Sequence, residues 1–350
     1  MSEVHDALDE AQKRAVLERV GMTPAATLEK LSGGMSNITL LAKESGRELI
    51  VRTPPPGAKH IKAGHDVIRE AKLLELVHPV YPLAPKVEAI VEDESVIGVP
   101  FFAMSRVKGR VLRSRVPKDV PLSSTTMRGL SENFVDALVS LHAIDVERAG
   151  LSKVGRPDGY VQRQVDGWCE RYEKSKVDDV SDMERLAAWL KANVPRGRAL
   201  RPTLVHNDFK YDNVVLDEGD LTKLVGVLDW ELATVGEAMT DLGTVLAYWI
   251  EATDDEALRA MPLCLTYLPG NLTRTEVVAR YEERTQRKVE DLIFHVVLGS
   301  FRLGVIAQQI YYRYAKGFTQ DPKYAVMGLA VAVVGAKACR VLDAGRIDVA

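Results

Sequence analysis

Leu204-Val205-His206-Asn207-Asp208-Phe209-Lys210-Tyr211-Asp212-Asn213 decides how the rest of the chain is read. A carboxylate is followed by an ammonium two residues on and an amide five residues on, in a loop ahead of the short strand-like run Asn213–Leu216. Alone, such a set is also what a capping Asp and a turn Asn look like. A second acid lifts it above that. Val227-Leu228-Asp229-Trp230 comes sixteen residues after Asn213 and ends a second apolar run, Leu224–Leu228. Oxygen ligands presented from two adjacent strand ends suit Mg²⁺, which prefers carboxylate, amide and phosphate oxygens.

The spacing of Asp208, Lys210 and Asn213 matches the catalytic-loop pattern of kinases, with Asp229 at the position of the acid in the Asp-Phe-Gly motif. Phosphoryl transfer needs an oriented hydroxyl, metal ions and positive charge around the moving group. Asp208 is then the acceptor of the hydroxyl proton, Lys210 lies beside the γ-phosphate, and Asn213 and Asp229 hold Mg²⁺. Leu31-Ser32-Gly33-Gly34-Met35-Ser36-Asn37-Ile38 adds a glycine turn between the first two predicted strands. Ser32, Gly33, Gly34, Ser36 and Asn37 are candidate phosphate contacts, since glycine lets backbone N–H groups come close. A plain hairpin turn explains the same residues equally well. The turn lacks the G-x-x-x-x-G-K-[ST] pattern, which argues against a P-loop ATPase. Arg52 on the third strand and Glu70 on the following helix complete the nucleotide set, with Met104 at the start of the predicted hinge Met104–Gly109.

The surrounding chain supplies a frame for these residues. Thr27–Ser32, Ile38–Lys43, Glu48–Thr53, Val87–Val91 and Val99–Met104 read as strands, and Val67, Ile68, Ala71, Leu74 and Val77 recur at helical spacing. Beyond Gly109, Leu130–Ile144, Tyr160–Lys174, Ser181–Ala192, Asp241–Ile250 and Leu292–Lys316 carry helical periodicity. The fold class expected is α+β and bilobal: a five-stranded, mostly antiparallel lobe over 1–105 and a larger helical lobe over 106–350. The 350 residues carry a net charge of −3, which disfavours a nucleic-acid binder. Three scattered cysteines suit a reducing cytoplasm better than a disulfide framework. The charged N-terminus has no apolar core and is not a secretory signal, and the apolar run Ala325–Ala336 is short of a membrane span.

Taken in order, Gly33–Asn37, Val51–Pro55, Arg69-Glu70, Arg163–Val165 with Trp168, Trp189-Leu190, His206–Asn213, Leu228–Glu231 and Asp241-Leu242 resemble the aminoglycoside phosphotransferase/choline kinase superfamily. More closely, they are similar to the phosphotransferase domains associated with acyl-CoA dehydrogenases. The resemblance implies a protein-kinase-like fold, Mg²⁺, ATP or GTP as co-substrate, a small-molecule alcohol as acceptor and a functional link to an acyl-CoA dehydrogenase. It also implies that Asp241 braces the catalytic loop and that His206 orients it. Three positions depart from the family pattern: Arg52 for the usual lysine, Asn207 for the usual glycine, and Gly236-Glu237-Ala238 for Gly-Asp-Pro. Arginine is not interchangeable with lysine, whereas asparagine tolerates unusual backbone angles.

The acceptor is read from charge. Leu292–Gln320 contains no Asp or Glu, and His295, Arg302, Gln309 and Arg313 share one helical face. That stripe is either a solvated face or a site for an anionic acceptor. It disfavours polycationic aminoglycosides and, with the resemblance, points to hydroxyacyl-CoA-type substrates. A kinase of an aminoglycoside, choline or sugar-like alcohol, a nucleotide-binding pseudokinase and a metal-dependent hydrolase are the alternatives.

Overall fold

The computed structural model describes residues 8–31, 37–55, 66–117, 119–196, 201–261 and 263–349. Five strands, β1 (Thr27–Lys30), β2 (Ile38–Glu44), β3 (Arg47–Thr53), β4 (Val87–Val91) and β5 (Phe101–Ser105), pair antiparallel in the order β1-β2-β3-β5-β4. All five form where the sequence pattern puts them. Alternation along a strand sends successive side chains to opposite faces. Leu49, Val51, Phe101 and Ala103 therefore pack under α1 (Glu10–Arg19), with Val16 and Leu17. Ile50, Phe102 and Met104 face the other way, into the cluster that holds α2 (Val67–Val77). Arg52 is on that second face, and this is why it meets α2 rather than solvent. Helix α1 is missing from the sequence expectation, although Asp9 and Gln12 close a capping box at its start, 2.8 and 3.0 Å.

The chain leaves the sheet at Ser105 and at once joins the helical lobe. Arg110 bridges to Leu216, and Gly109 (φ 148°) passes so close that a Cβ there would lie 2.3 Å from the Leu216 carbonyl oxygen. The larger lobe contains α3 (Ser124–His142), α4 (Tyr160–Ser175), α5 (Ser181–Ala192), α6 (Ala238–Tyr248), α7 (Glu256–Arg259), α8 (Arg274–Thr285), α9 (Leu292–Ala315) and α10 (Met327–Ala344). Helices α7 and α8 lie outside the sequence expectation. The last apolar run is longer than Ala325–Ala336. By length and composition, α9 and the 322–344 segment could each cross a membrane, but 78% of the α9 window and 44% of the second are buried inside the fold.

Two short strand pairs set the site. β6 (Thr203–Val205) pairs with β9 (Thr234–Gly236), and β7 (Val214–Leu216) pairs with β8 (Leu224–Val227), both antiparallel. Chain order is β6, loop 206–213, β7, β8, loop 228–233, β9, so the nested pairing lays the two loops against each other. Behind them α6 and α9 pack backbone to backbone. A Cβ on Gly243 would lie 2.2 Å from the His295 carbonyl oxygen, and one on Gly299 would lie 2.4 Å from that of Gly243. That closeness brings the middle of α9 up to the loops.

Candidate active site

The catalytic loop is held from behind by one buried carboxylate. Asp241, on α6, accepts from the backbone N–H of His206 (2.7 Å) and of Asn207 (2.8 Å), and lies 3.2 Å from His142 Nε2. Burial works against its charge, yet His142 and the loop hold its carboxyl below the usual range. His206 is fully buried, edge-on to Trp230, with Nε2 3.0 Å from the Leu228 carbonyl. Burial lowers its pKa, and this places a neutral ring between the loops.

Asn207 is in the left-handed region, φ 65°, as a residue replacing glycine must be if the loop keeps its shape. Its side chain does more than a glycine could. Oδ1 accepts from Tyr160 Oη (3.0 Å) and Arg302 Nη1 (3.2 Å), and Nδ2 donates to the Leu232 carbonyl (3.1 Å). Arg302 also donates to the Asn207 carbonyl (3.1 Å) and to Thr244 Oγ1 (3.0 Å), and its guanidinium lies 5.2 Å from the Trp168 ring centre.

With the loop fixed, Asp208 presents a mostly covered carboxylate. Lys210 Nζ reaches both of its oxygens (3.0 and 2.9 Å), and Asn213 Nδ2 donates to Oδ2 (2.8 Å) and to the Asp208 carbonyl (2.9 Å). Lys210 also lies 4.8 Å over the Tyr248 ring. Burial first, then the Asp208 carboxylate, pushes the Tyr248 phenol up to about 12, so its hydroxyl keeps its proton. Asp212, half-buried next to Lys210, is pushed up to about 6, chiefly by burial.

Across the nested pair, the Leu228 N–H donates to the Asn213 carbonyl (2.7 Å), fixing Asp229 next to Asn213. Asp229 is itself left-handed, φ 67°, which turns its carboxylate out of the strand end. Arg52 reaches it at 3.3 Å, Glu70 at 2.7 Å and Glu231 at 2.9 Å. Burial disfavours the Arg52 charge, but the three acids more than offset it and hold its pKa above the ordinary value. Glu70, almost wholly buried, is pushed up to about 7 by burial, with Arg52 opposing. Glu231 also accepts from Asn37 Nδ2 (3.0 Å), and Arg69 donates to the Glu231 and Ala233 carbonyls (3.2 and 2.6 Å). Sheet, α2 and the 228–233 loop are thus one network.

The donor set suits Mg²⁺. The Asn213 amide nitrogen is committed to Asp208, leaving its oxygen for a cation beside the outward-turned Asp229. Asp229 and Asn213 would hold the ion, with the remaining places left for phosphate and water oxygens.

The other sequence candidates divide. Ser32, Gly33, Gly34 and Ser36 lie outside the described residues. Met104 is buried in the larger core cluster at the end of β5. The stripe on α9 needs correction, because the helix is wrapped on most sides. His295 is buried against α6, Gln309 is half-buried and Arg313 is exposed, so the four do not line one surface. Only Arg302 reaches the loop, from behind. Lys43 is exposed and paired with Glu48, 3.6 Å, which leaves Arg52 as the buried cation of the sheet. Glu231, Tyr248 and His142 escaped the sequence reading. Glu231 stands in the quoted Leu228–Glu231 segment, two residues past the acid; nothing in the local pattern signals the other two.

Residues 27–262 match the family model described as "Phosphotransferase enzyme family". The chain belongs to that family. It is 30% identical over 302 residues to acyl-CoA dehydrogenase family member 11 of Mus musculus, covering 83% of this chain but 37% of the mouse protein. A crystal structure from Ralstonia eutropha, described provisionally as an aminoglycoside phosphotransferase, superposes with a TM-score of 0.78 at 26% identity, covering 95% of this chain and 98% of that one. The GDP and kanamycin complex of an aminoglycoside phosphotransferase shares the fold at a TM-score of 0.63 and 16% identity, covering 92% and 97%. This family member is a phosphotransferase built on the bilobal kinase-like fold.

Proposed function

We propose that the chain is a small-molecule kinase that transfers the γ-phosphoryl of a Mg-bound ATP or GTP to a substrate hydroxyl, with the nucleotide between a sheet lobe over 1–105 and a helical lobe over 106–350. The observation that carries this reading is the convergence of Asp208, Lys210 and Asn213 with Asp229, opposite the Arg52–Glu70 pair. Asp208 accepts the proton as the hydroxyl oxygen forms its bond to the γ-phosphorus and the bond to the β-bridging oxygen breaks. The nucleoside diphosphate leaves. Bound Mg²⁺ neutralises charge on the phosphate oxygens. Lys210 shifts from Asp208 to the transferring group, and Arg52 holds phosphate oxygens while Glu70 orients it.

The acceptor in this reading is anionic, of the hydroxyacyl-CoA type. Similarity to a protein named as an acyl-CoA dehydrogenase supports it and, with it, a functional link to such an enzyme. A nucleotide-consumption screen over hydroxylated metabolites tests it, with hydroxyacyl-CoAs, choline and kanamycin as arms and Asp208→Asn as control. Turnover of hydroxyacyl-CoAs alone is the expected result. Efficient use of kanamycin overturns the acceptor class, and no Asp208-dependent consumption with any alcohol overturns the reading.

A further inference from the structure

On the side of the catalytic loop away from Asp208 lies a pocket of about 270 Å³, bordered by the end of α3, the residues before β6, the start of α6 and the end of α8. Its rim carries Arg201, Arg284, Arg287 and Lys288, against one rim carboxylate, Glu290. Lys288 is paired with Glu282, 2.9 Å. Arg284 shares Asp136 with Arg280, 3.0 and 2.8 Å, so that single carboxylate neutralises only one of the two. Arg201 and Arg287 make no ion pair among the described residues, and both bear on the buried Tyr281 at the floor. The dipole of α8 accounts for a cation in its last turn; it does not account for Arg201, which arrives from a different element.

The floor leads inward by hydrogen bonds. Tyr281 Oη lies 2.8 Å from His142 Nδ1, His142 Nε2 lies 3.2 Å from Asp241, and Asp241 holds the His206 and Asn207 N–H groups. His142 is buried and none of the phosphoryl-transfer roles uses it. Arg201 has a second connection, since it stands just ahead of β6, which runs straight into the loop.

We propose that this pocket is an anion site for a phosphate group, free or carried by a small ester, and that its occupancy is felt at the catalytic loop through Tyr281, His142 and Asp241. Two guanidiniums reach one pocket from separate elements, and guanidinium groups suit a tetrahedral dianion. A ligand that orders Tyr281 biases the one carboxylate that fixes both loop N–H groups, and by linkage a changed loop alters the anion's affinity equally.

The test uses the full chain and inorganic phosphate at constant ionic strength, with glycerol 2-phosphate as the ester arm and chloride as control. Calorimetry should show saturable binding that Arg201→Gln/Arg287→Gln weakens at least tenfold, while Lys174→Gln, an exposed change on α4, has no effect. Binding of phosphate and not the ester, or the reverse, identifies the source. Hydrogen exchange of the 204–213 segment should slow with phosphate in the wild type. In Tyr281→Phe phosphate should still bind, with that slowing lost. Absence of saturable binding, or binding that survives the double change, overturns the site. Equal slowing in Tyr281→Phe overturns the relay. Neither readout needs phosphoryl transfer, so its failure is separate from failure of the kinase reading.

Discussion

The two walls of the cleft are held by different chemistry. On the helical side the loop around Asp208 is fixed by bonds to its backbone, Asp241 to two N–H groups and Arg302 to a carbonyl, and by the Asn207 side chain, which accepts from Tyr160 and donates to Leu232. On the sheet side, charge is held by charge, with one guanidinium facing Glu70, Asp229 and Glu231. Backbone-directed bonds persist whatever occupies the cleft. A cation shared among three acids is a balance that the proposed Mg-nucleotide, bringing both signs of charge, would redistribute. The helical wall is therefore the prebuilt one and the sheet wall the responsive one.

The contrast is sharpest where the walls meet. Asp229→Ala should lower transfer on the order of 10³-fold or more, since it removes the carboxylate assigned to the metal; near-normal turnover would remove the metal role. Asp208→Asn should lower kcat roughly 10²- to 10⁴-fold and leave nucleotide affinity nearly unchanged, as measured by calorimetry. On the prebuilt wall, Arg302→Gln leaves the Asn207 carbonyl and Oδ1 short of donors at a cost of about 2 kcal/mol. It should lower Tm and kcat together and move the acceptor KM little; a rise in acceptor KM alone would make Arg302 a substrate contact. On the responsive wall, Glu231→Gln removes one competitor for Arg52 and should lower the nucleotide KM a few-fold with Tm nearly constant. The smallest effect concerns pH. His206 has its pKa lowered by burial, so below about 6.5 the unfolded chain binds more protons than the folded one. Stability should therefore fall as pH drops beneath that value, and His206→Gln should flatten the limb by at most about 1.4 kcal/mol per pH unit.

The reasons some elements were legible and others not are physical. Strands β1 to β5 and helices α2, α4, α5 and α9 announce themselves through periods of two and 3.6, because each buries one face. Helix α8 is polar over most of its surface, and only its Thr273/Glu276 capping box marks its start. The three-residue strands β6 and β9 are too short to show any period, yet their pairing is what turns two separate loops toward each other. The α9 stripe failed for the converse reason. Shared helical phase says that residues face one direction, while the neighbours in that direction change along a helix that is sheathed at its start and bare at its end.

Residue type and spacing along the chain were enough to single out Asp208, Lys210, Asn213 and Asp229 as one set, which the fold brings together, because the chemistry of phosphoryl transfer restricts which groups can serve and how far apart a loop can carry them. The Arg52–Glu70 pair was legible as well, as the strand cation and following-helix acid of the kinase pattern, and the two meet at 2.7 Å. Partners far apart in sequence were beyond that reach: Glu231 and Asn37 on one cation network, Arg302 behind Asn207, and His142 linking Tyr281 to Asp241. Each depends on how whole elements pack, above all on the glycine contact that lets α9 lie against α6. Packing is a property of the assembled chain, so only the folded molecule could decide which of its many arginines and histidines would stand behind the loop.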